Sequence, residues 1–407
     1  MDKIPPKKIL GPLLILLGLL PLFVYAVKIR HLFIPRATDT AQTTKVMVID
    51  FEPGAVRQTY GWNDPQILEN QFISDVTSVS GGNFNYQIVN RQVVNDFPVK
   101  ADGFKYTIDT FNTCWTNRST CHSPDTADYL KVLNDYDVCG KRNRGEIDEL
   151  WLWGGPYFGY WEAVMAGPGA FSTNAPPLTG TSCQKKLNIM GFNYERGVSE
   201  MLEDLGHRVE GTMRQVYGSW TAGSDSHAWN KFTLLDKDSP GKANCGNVHF
   251  APNSTSDYDW GNTRTVASNC EDWVNYPNLT GATQSFNCSK WSCDGYGYKK
   301  WWLSHLPKAA GVAPDGKLTN WWEYVIDYDS AISPTPTPTP TPTPLSFPPG
   351  DANGDCAVTI ADYVILLNHY GQTIAGGRTV GDFDNNGAVT IADYVILLNH
   401  YGQSGCV

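Results

Sequence analysis

The first half of the chain alternates between two patterns of apolar residues. Short apolar runs, typical of strands buried on both faces, are separated by stretches in which apolar residues recur every three to four positions, as in helices. The predicted strands are 45–51, 86–94, 147–153 and 186–190, and the predicted helices are 65–79, 126–134 and 194–217. Strands separated by helices predict an α/β domain with a mainly parallel sheet.

The second half of this region lacks such periodicity. From Gly218 onward the chain is rich in Gly, Asn, Trp and Cys, and we expect long loops that disulfides hold over the sheet. Eight of the ten cysteines lie between Cys114 and Cys293. An even number of cysteines in an exported chain is typical of disulfides formed in an oxidising compartment.

Two segments of unusual composition divide the chain. The 19-residue run Ile9–Val27 has no charge, follows three lysines and is long enough to span a bilayer, so we predict an uncleaved signal anchor; a cleavable signal peptide is the alternative. Pro334–Pro344 alternates Pro and Thr, which favours an extended, semi-rigid spacer. The predicted parts are therefore an anchor and stalk (1–43), an exported globular domain (44–330), a linker (331–347) and a small C-terminal domain (348–407), displayed at the cell surface.

The C-terminal segment contains an internal repeat. Val358–Gln372 recurs letter for letter as Val389–Gln403, and each copy follows an acidic loop rich in Gly and Asn. Oxygen-bearing side chains stand at loop positions 1, 3, 5, 9 and 12, and position 7 offers a backbone carbonyl. The resulting ligand sets are Asp351, Asn353, Asp355, Ala357, Thr359 and Asp362, and Asp382, Asp384, Asn386, Ala388, Thr390 and Asp393. Calcium takes six to eight oxygens from such alternating positions, so the repeat predicts two calcium ions.

These loops resemble the type I dockerin family over about 350–407. The resemblance implies a small all-α, EF-hand-like module that docks onto a cohesin domain and thereby assembles polysaccharide-degrading enzymes. Familiar dockerins often carry a Ser-Thr-like pair at loop positions 10 and 11, whereas this chain has Ile360-Ala361 and Ile391-Ala392. The apolar pairs predict a different or hydrophobic partner surface.

Three further features concern the local structure of the repeat. Cys356 stands where a Gly is wanted for the sharp turn, and it is expected to pair with Cys406, the other cysteine of the segment. Ile360, Val364 and Leu367 recur at i, i+4 and i+7 and predict the packing face of the helix, as do their repeats. Gly371 and Gly402 are expected to end the two helices.

Charge and motifs exclude several classes of function. The net charge is −10, and no basic stripe suggests a nucleic-acid partner. No GxSxG, P-loop or dinucleotide-binding fingerprint is present, which argues against serine hydrolases, nucleotide-dependent enzymes and nicotinamide-dependent redox enzymes.

The helix predicted at 194–217 carries the most suggestive chemistry. Glu203, His207 and Glu210 share one face, and Glu203-Asp204-Leu-Gly-His207 is similar to the zinc-binding helix of zincin metallopeptidases. Glu203 and His207 could ligate a metal such as zinc, with Asp204 or Glu210 activating water and His249 as a third ligand. The structural alternative is a solvated helix face with a Glu–His pair.

A carboxylate pair for glycoside hydrolysis is a second candidate. The acids considered are Glu149, Glu162, Glu195 and Glu203, of which Glu162 follows a glycine loop at the end of a strand. All 14 tryptophans lie between Trp62 and Trp322, where they can stack on sugar rings or fill a core. The candidate catalytic residues are thus Glu203, His207 and Glu162.

The dockerin resemblance implies the favoured function, a hydrolase acting on polysaccharide and tethered through calcium to a cohesin-like partner. Two alternatives stay open. One is a zincin-like, metal-dependent peptidase, and the other is a non-catalytic surface protein that serves adhesion or assembly.

Overall fold

The computed structural model describes residues 42–332 and 347–406. They belong to two compact units, one on each side of the Pro/Thr run. The predicted anchor Ile9–Val27 and most of the linker, including Pro334–Pro344, lie outside the described residues. Within the described ranges, no helix is long and apolar enough to cross a membrane.

The first unit is built on a five-stranded sheet of order β2-β1-β3-β5-β4. Its strands are β1 (Gln42–Phe51), β2 (Phe84–Val94), β3 (Glu149–Gly154), β4 (Ala163–Ala166) and β5 (Leu187–Asn193). All neighbouring pairs are parallel except β4 and β5, which are antiparallel. The predicted mainly parallel α/β fold is therefore confirmed, and the short edge strand β4 is an addition to it.

Alternate residues of the central strands enter two separate cores. Val48 and Trp151 pack into one core, and Ile49 and Leu152 pack into the other on the opposite face of the sheet. Because successive side chains of a strand point to opposite faces, a strand covered on both sides is apolar at nearly every position. This explains the continuous apolar run of 45–51.

Helices cover both faces of the sheet. In chain order they are α1 (Val56–Thr59), α2 (Pro65–Val79), α3 (Ile108–Thr116), α4 (Tyr129–Asp135), α5 (Val138–Arg144), α6 (Val198–Tyr217), α7 (Ala228–Phe232), α8 (Gly295–Ser304), α9 (Trp321–Ile326) and α10 (Tyr328–Ile332). The bounds of α2 match the prediction. Helix α4 begins three residues later than predicted because the Asp128 side chain caps it by accepting the Lys131 N–H. Helix α6 begins at Val198, after a turn that ends β5.

The region after Gly218 is more regular than its sequence suggests. It contains the short helices α7 to α10 and a two-stranded ribbon, β6 (Val266–Ser268) with β7 (Gln284–Phe286). Disulfides Cys245–Cys270 and Cys288–Cys293 hold its loops, and Cys114–Cys121 and Cys139–Cys183 lie earlier in the unit. The predicted disulfide-held loops are confirmed, but the short helices were missed, because helices such as α8 and α9 form around buried tryptophans, Trp302 and Trp321, rather than along an amphipathic stripe.

The second unit contains two equivalent helices, α11 (Ile360–His369) and α12 (Ile391–His400). Its small core is formed by Val358, Leu366, Val389 and Leu397, with partly buried Tyr363 and Tyr394 packed against it. Cys356 adopts a positive φ of 67°, at the position where a Gly is wanted, and forms the predicted disulfide with Cys406. Gly371 and Gly402 follow the helices with φ of 78° and 85°.

The predicted packing face of these helices was wrong. Ile360, Val364 and Leu367 are 62%, 49% and 49% exposed, and their repeats in α12 are equally exposed. The residues that pack are Leu366 and Leu397, one position before the last residue of each predicted stripe. The unit therefore presents two apolar stripes to solvent.

Candidate functional site

A polar cleft of about 540 Å³ opens beside the carboxyl end of β5 and the first turns of α6. Open α/β sheets place their ligands outside the carboxyl ends of the strands, which is where this cleft lies. Its lining includes Glu162, Glu203, Asp204, Tyr258 and Trp260.

Helix α6 presents Glu203 and His207 one turn apart, as their spacing requires. Gly206 lies between them, and a Cβ at this position would be 2.4 Å from Cγ2 of Val248. A glycine here therefore lets the segment that carries Val248 and His249 pack directly onto the helix.

Three side chains with metal-ligating atoms converge at this contact. Glu203, His207 and His249 each offer a donor atom, and these atoms lie within 4.8 Å of one another. His249 Nε2 is 3.0 Å from Glu203 Oε1, although 46 residues separate the two in sequence. Two imidazoles and one carboxylate form a ligand set suited to zinc.

Each imidazole is held by a carboxylate at its other nitrogen. His207 Nδ1 is 3.2 Å from Glu210 Oε2, and His249 Nδ1 is 3.2 Å from Asp257 Oδ1. Glu210 is itself fixed, since its Oε1 accepts the Val248 N–H. Metal-binding histidines are commonly oriented in this way, with Nε2 left for the metal.

Glu162 lies across from these ligands. Its Oε2 is 3.4 Å from His207 Nε2 and accepts a hydrogen bond from Asn174, and its side chain is 44% exposed. Burial of the carboxyl raises the pKa of Glu162 above its usual range, although the positive charge on His207 opposes the rise.

Asp204 and Glu210, which the sequence suggested for activating water, are poorly suited to that role. Asp204 is buried, and burial raises the pKa of its carboxyl well above the usual value, which disfavours the charged form. Glu210 is engaged by both His207 and the Val248 N–H. The partly exposed Glu162 is the better-placed carboxylate.

The structure adds two residues that sequence reasoning missed. Lys299 of α8 is buried, and its Nζ is 2.6 Å from Glu203 Oε2. Burial alone would raise the pKa of Glu203, but hydrogen bonds from His249 and Lys299 lower it to about 2. Tyr258 adopts a positive φ of 57° and places its hydroxyl 3.2 Å from His249 Nε2. No motif in the sequence marks either residue.

The other predicted acids do not join this group. Glu149 is buried on β3 in an ion pair with Arg208, and Glu195 pairs with Arg196. Most tryptophans are core residues, but Trp161, next to Glu162, is 43% exposed. It lines a second hollow of about 370 Å³ that shares Tyr160, Gly191 and Asn193 with the cleft.

The acidic loops of the second unit turn their carboxylates inward. Donor oxygens of Asp382, Asp384 and Asp393 lie within 4.8 Å of one another. Asp393 Oδ1 also accepts the N–H groups of Phe383 and Asp384, and Asp362 holds loop 1 in the same way. An all-oxygen set of this kind fits a hard cation such as calcium.

No protein-family model matches the chain, and no curated protein matches it. Ten chains of solved structures match. One of them is described as a type II cohesin-dockerin domain from Bacteroides cellolosolvens. It is 32% identical, and the match covers 14% of this chain and 87% of that chain with a TM-score of 0.13.

Proposed function

We propose that this protein is an exported, zinc-dependent hydrolase that a calcium-binding dockerin-like module attaches to a protein partner. The observation that carries the enzymatic part is the convergence of Glu203, His207 and His249, in which a carboxylate backs each imidazole. The five disulfides are typical of an extracellular protein.

Each side chain has a distinct part in this proposal. Glu203 Oε1, His207 Nε2 and His249 Nε2 would hold the ion, and Glu210 and Asp257 would orient the imidazoles. Zinc in such a site polarises a carbonyl group and acidifies a water molecule. Glu162 is the side chain that can accept the proton from that water and later deliver it to the leaving group.

The arrangement favours amide bonds over glycosidic bonds as substrate. Glycoside hydrolysis uses two carboxyl groups, one on each side of the sugar bond. In this cleft Glu162 is partly exposed, whereas Glu203 is nearly buried and engaged by Lys299 and His249. We therefore propose a metal-dependent peptidase, one of the two alternatives from the sequence, in preference to a polysaccharide hydrolase.

The test uses the full-length protein, freed of loosely bound ions and then supplied with zinc. We expect about one tightly bound zinc per chain and cleavage of casein or of a peptide library, both lost in His249→Gln. The control is His122→Gln, which alters a His–Asp pair outside the cleft. Cleavage of pooled polysaccharides, with zinc absent and His249→Gln fully active, would contradict the proposal.

For the module, we propose a cohesin-like domain with an apolar docking surface as partner. The support is the pair of calcium-type loops and the two exposed stripes that begin at Ile360 and Ile391. Because the stripes are identical in sequence, either one can dock. Leu367→Lys or Leu398→Lys alone should leave calcium-dependent capture by the partner intact, and the double variant should abolish it. Capture that survives EGTA would refute calcium-dependent docking.

A further inference from the structure

Lys299 is buried against one of the proposed zinc ligands. Its side chain is 1% exposed, its Nζ is 2.6 Å from Glu203 Oε2, and a second contact joins it to Ser199 Oγ at 3.1 Å. The ammonium also lies 4.6 Å from the ring centroid of Trp260, which adds a cation–π contact. Among the described residues, Glu203 is the acidic side chain with which it forms an ion pair.

The two oxygens of Glu203 therefore have different partners. Oε2 binds Lys299, whereas Oε1 is directed at His249 Nε2, 3.0 Å away, on the side where the three donor atoms converge. A carboxylate that binds a metal through both oxygens needs both of them free. Here Lys299 occupies Oε2, and its position is set by α8 and its own packing, so Oε1 is the oxygen that faces the other two ligands.

We infer that Lys299 is a positioning residue that makes Glu203 a one-oxygen zinc ligand with its charge neutralised. This inference rests on the proposed zinc site and goes beyond it. With one atom from each of three side chains, a four-coordinate ion keeps a position open, which is the property that separates catalytic from structural zinc sites. The charges of Glu203 and Lys299 cancel, so the site resembles one built from three neutral ligands.

This arrangement lowers zinc affinity and leaves more of the positive charge of the ion uncompensated. Removing the ammonium should therefore tighten binding. The repulsion between the ammonium and a zinc ion a few ångströms away in a partly buried site is strong, so we expect zinc to bind Lys299→Met at least about tenfold more tightly. A lysine that served only to hold the fold would have the opposite effect, because its loss would loosen the site.

The experiment measures zinc affinity of the full-length protein at pH 7 by competition with a chromophoric chelator. Lys299→Arg keeps the charge and should stay near the unaltered protein. Lys300→Met is the matched control, since Lys300 is the next residue and pairs with Asp75 away from the cleft; its affinity should not change. Equal or weaker zinc binding by Lys299→Met would overturn the inference.

Zinc X-ray absorption on the unaltered protein tests the same point without any variant, in case Lys299→Met does not fold. We expect two imidazoles and one carboxylate bound through a single oxygen, and a carboxylate bound through both oxygens would overturn the inference. If the unaltered protein binds no zinc, the proposed function itself fails. If it binds zinc but Lys299→Met binds it no more tightly, only the role of Lys299 is refuted.

Discussion

Arg208 Nη1 lies 2.5 Å from Glu149 Oε2, and both side chains are 1% exposed. Arg208 follows His207 on α6, while Glu149 begins β3, so this ion pair fastens the helix that carries the candidate ligands to the centre of the sheet. Neighbouring groups add two further hydrogen bonds, since Trp151 Nε1 donates to Glu149 and Arg208 donates to the Val325 carbonyl.

Breaking this pair should destabilise the protein strongly. Arg208→Met leaves the Glu149 carboxylate buried without its cation, and such losses cost about 3–5 kcal/mol. The double variant Arg208→Met, Glu149→Leu should recover much of that loss, because no unpaired charge remains. Urea denaturation of the single and double variants measures the difference. If Arg208→Met were as stable as the unaltered protein, the ion pair would contribute nothing to the free energy of unfolding.

Glu210→Gln should weaken zinc binding without unfolding the protein. The amide is a poorer acceptor for the N–H at His207 Nδ1, and loss of such an outer partner typically costs 10- to 100-fold in metal affinity. The control is Glu271→Gln, which alters a comparable pair with His305 outside the cleft (Oε2 to Nε2, 3.3 Å). Competition with a chromophoric chelator measures the zinc affinity of both variants. An equal change in the two variants would contradict the proposed orienting role of Glu210.

The raised pKa of Glu69 should make the free energy of unfolding fall as the pH rises from about 5 to 7. Its side chain is buried beside Arg91, and no hydrogen-bond partner for Oε1 is found among the described residues. Burial raises its pKa from 4.5 to about 7, although the charge of Arg91 opposes the rise. Between these pH values the folded protein keeps a proton that the unfolded chain has released. Unfolding is therefore harder at the acidic end, and the stabilisation is lost as the pH passes the folded pKa.

Glu69→Gln removes the titrating carboxyl and should reduce the pH dependence of the free energy of unfolding, by up to about 3 kcal/mol across the interval. Urea denaturation at pH 5, 6 and 7 compares the variant with the unaltered protein and with Glu195→Gln, a partly exposed control outside this buried cluster. If the free energy of unfolding changed equally with pH in all three proteins, the titration of Glu69 would not contribute to that change.

Each acidic loop of the second unit should lose its calcium when its position-12 aspartate is replaced. Asp393 Oδ1 holds two loop N–H groups and lies within reach of Asp382 and Asp384. Calorimetric titration of the full-length protein should therefore find two ions in the unaltered chain and one in Asp393→Ala or Asp362→Ala. Asp315→Ala, in the first unit, is the control. Two ions in every variant would contradict the ligand assignment.

The sequence predicted those helices and strands whose defining residues are neighbours in the chain. Helix α2 matches its predicted bounds because Asp64 caps it and Pro65 starts it. Strand β4 was missed because four residues carry little pattern, and pairing with β5 is what makes them a strand. The stripes of α11 and α12 show another limit, since periodicity reveals an apolar face but not whether anything covers it.

The sequence by itself determined the features that depend on residues close together in the chain. These are the one-turn spacing of Glu203 and His207, the two acidic loops of the repeat, and the Cys356–Cys406 pairing within a short segment. Only the tertiary structure brought His249 and Lys299 to Glu203. The physical reason is that their proximity follows from how α6, α8 and the His249 loop pack around Gly206 and Trp260, which no local pattern encodes.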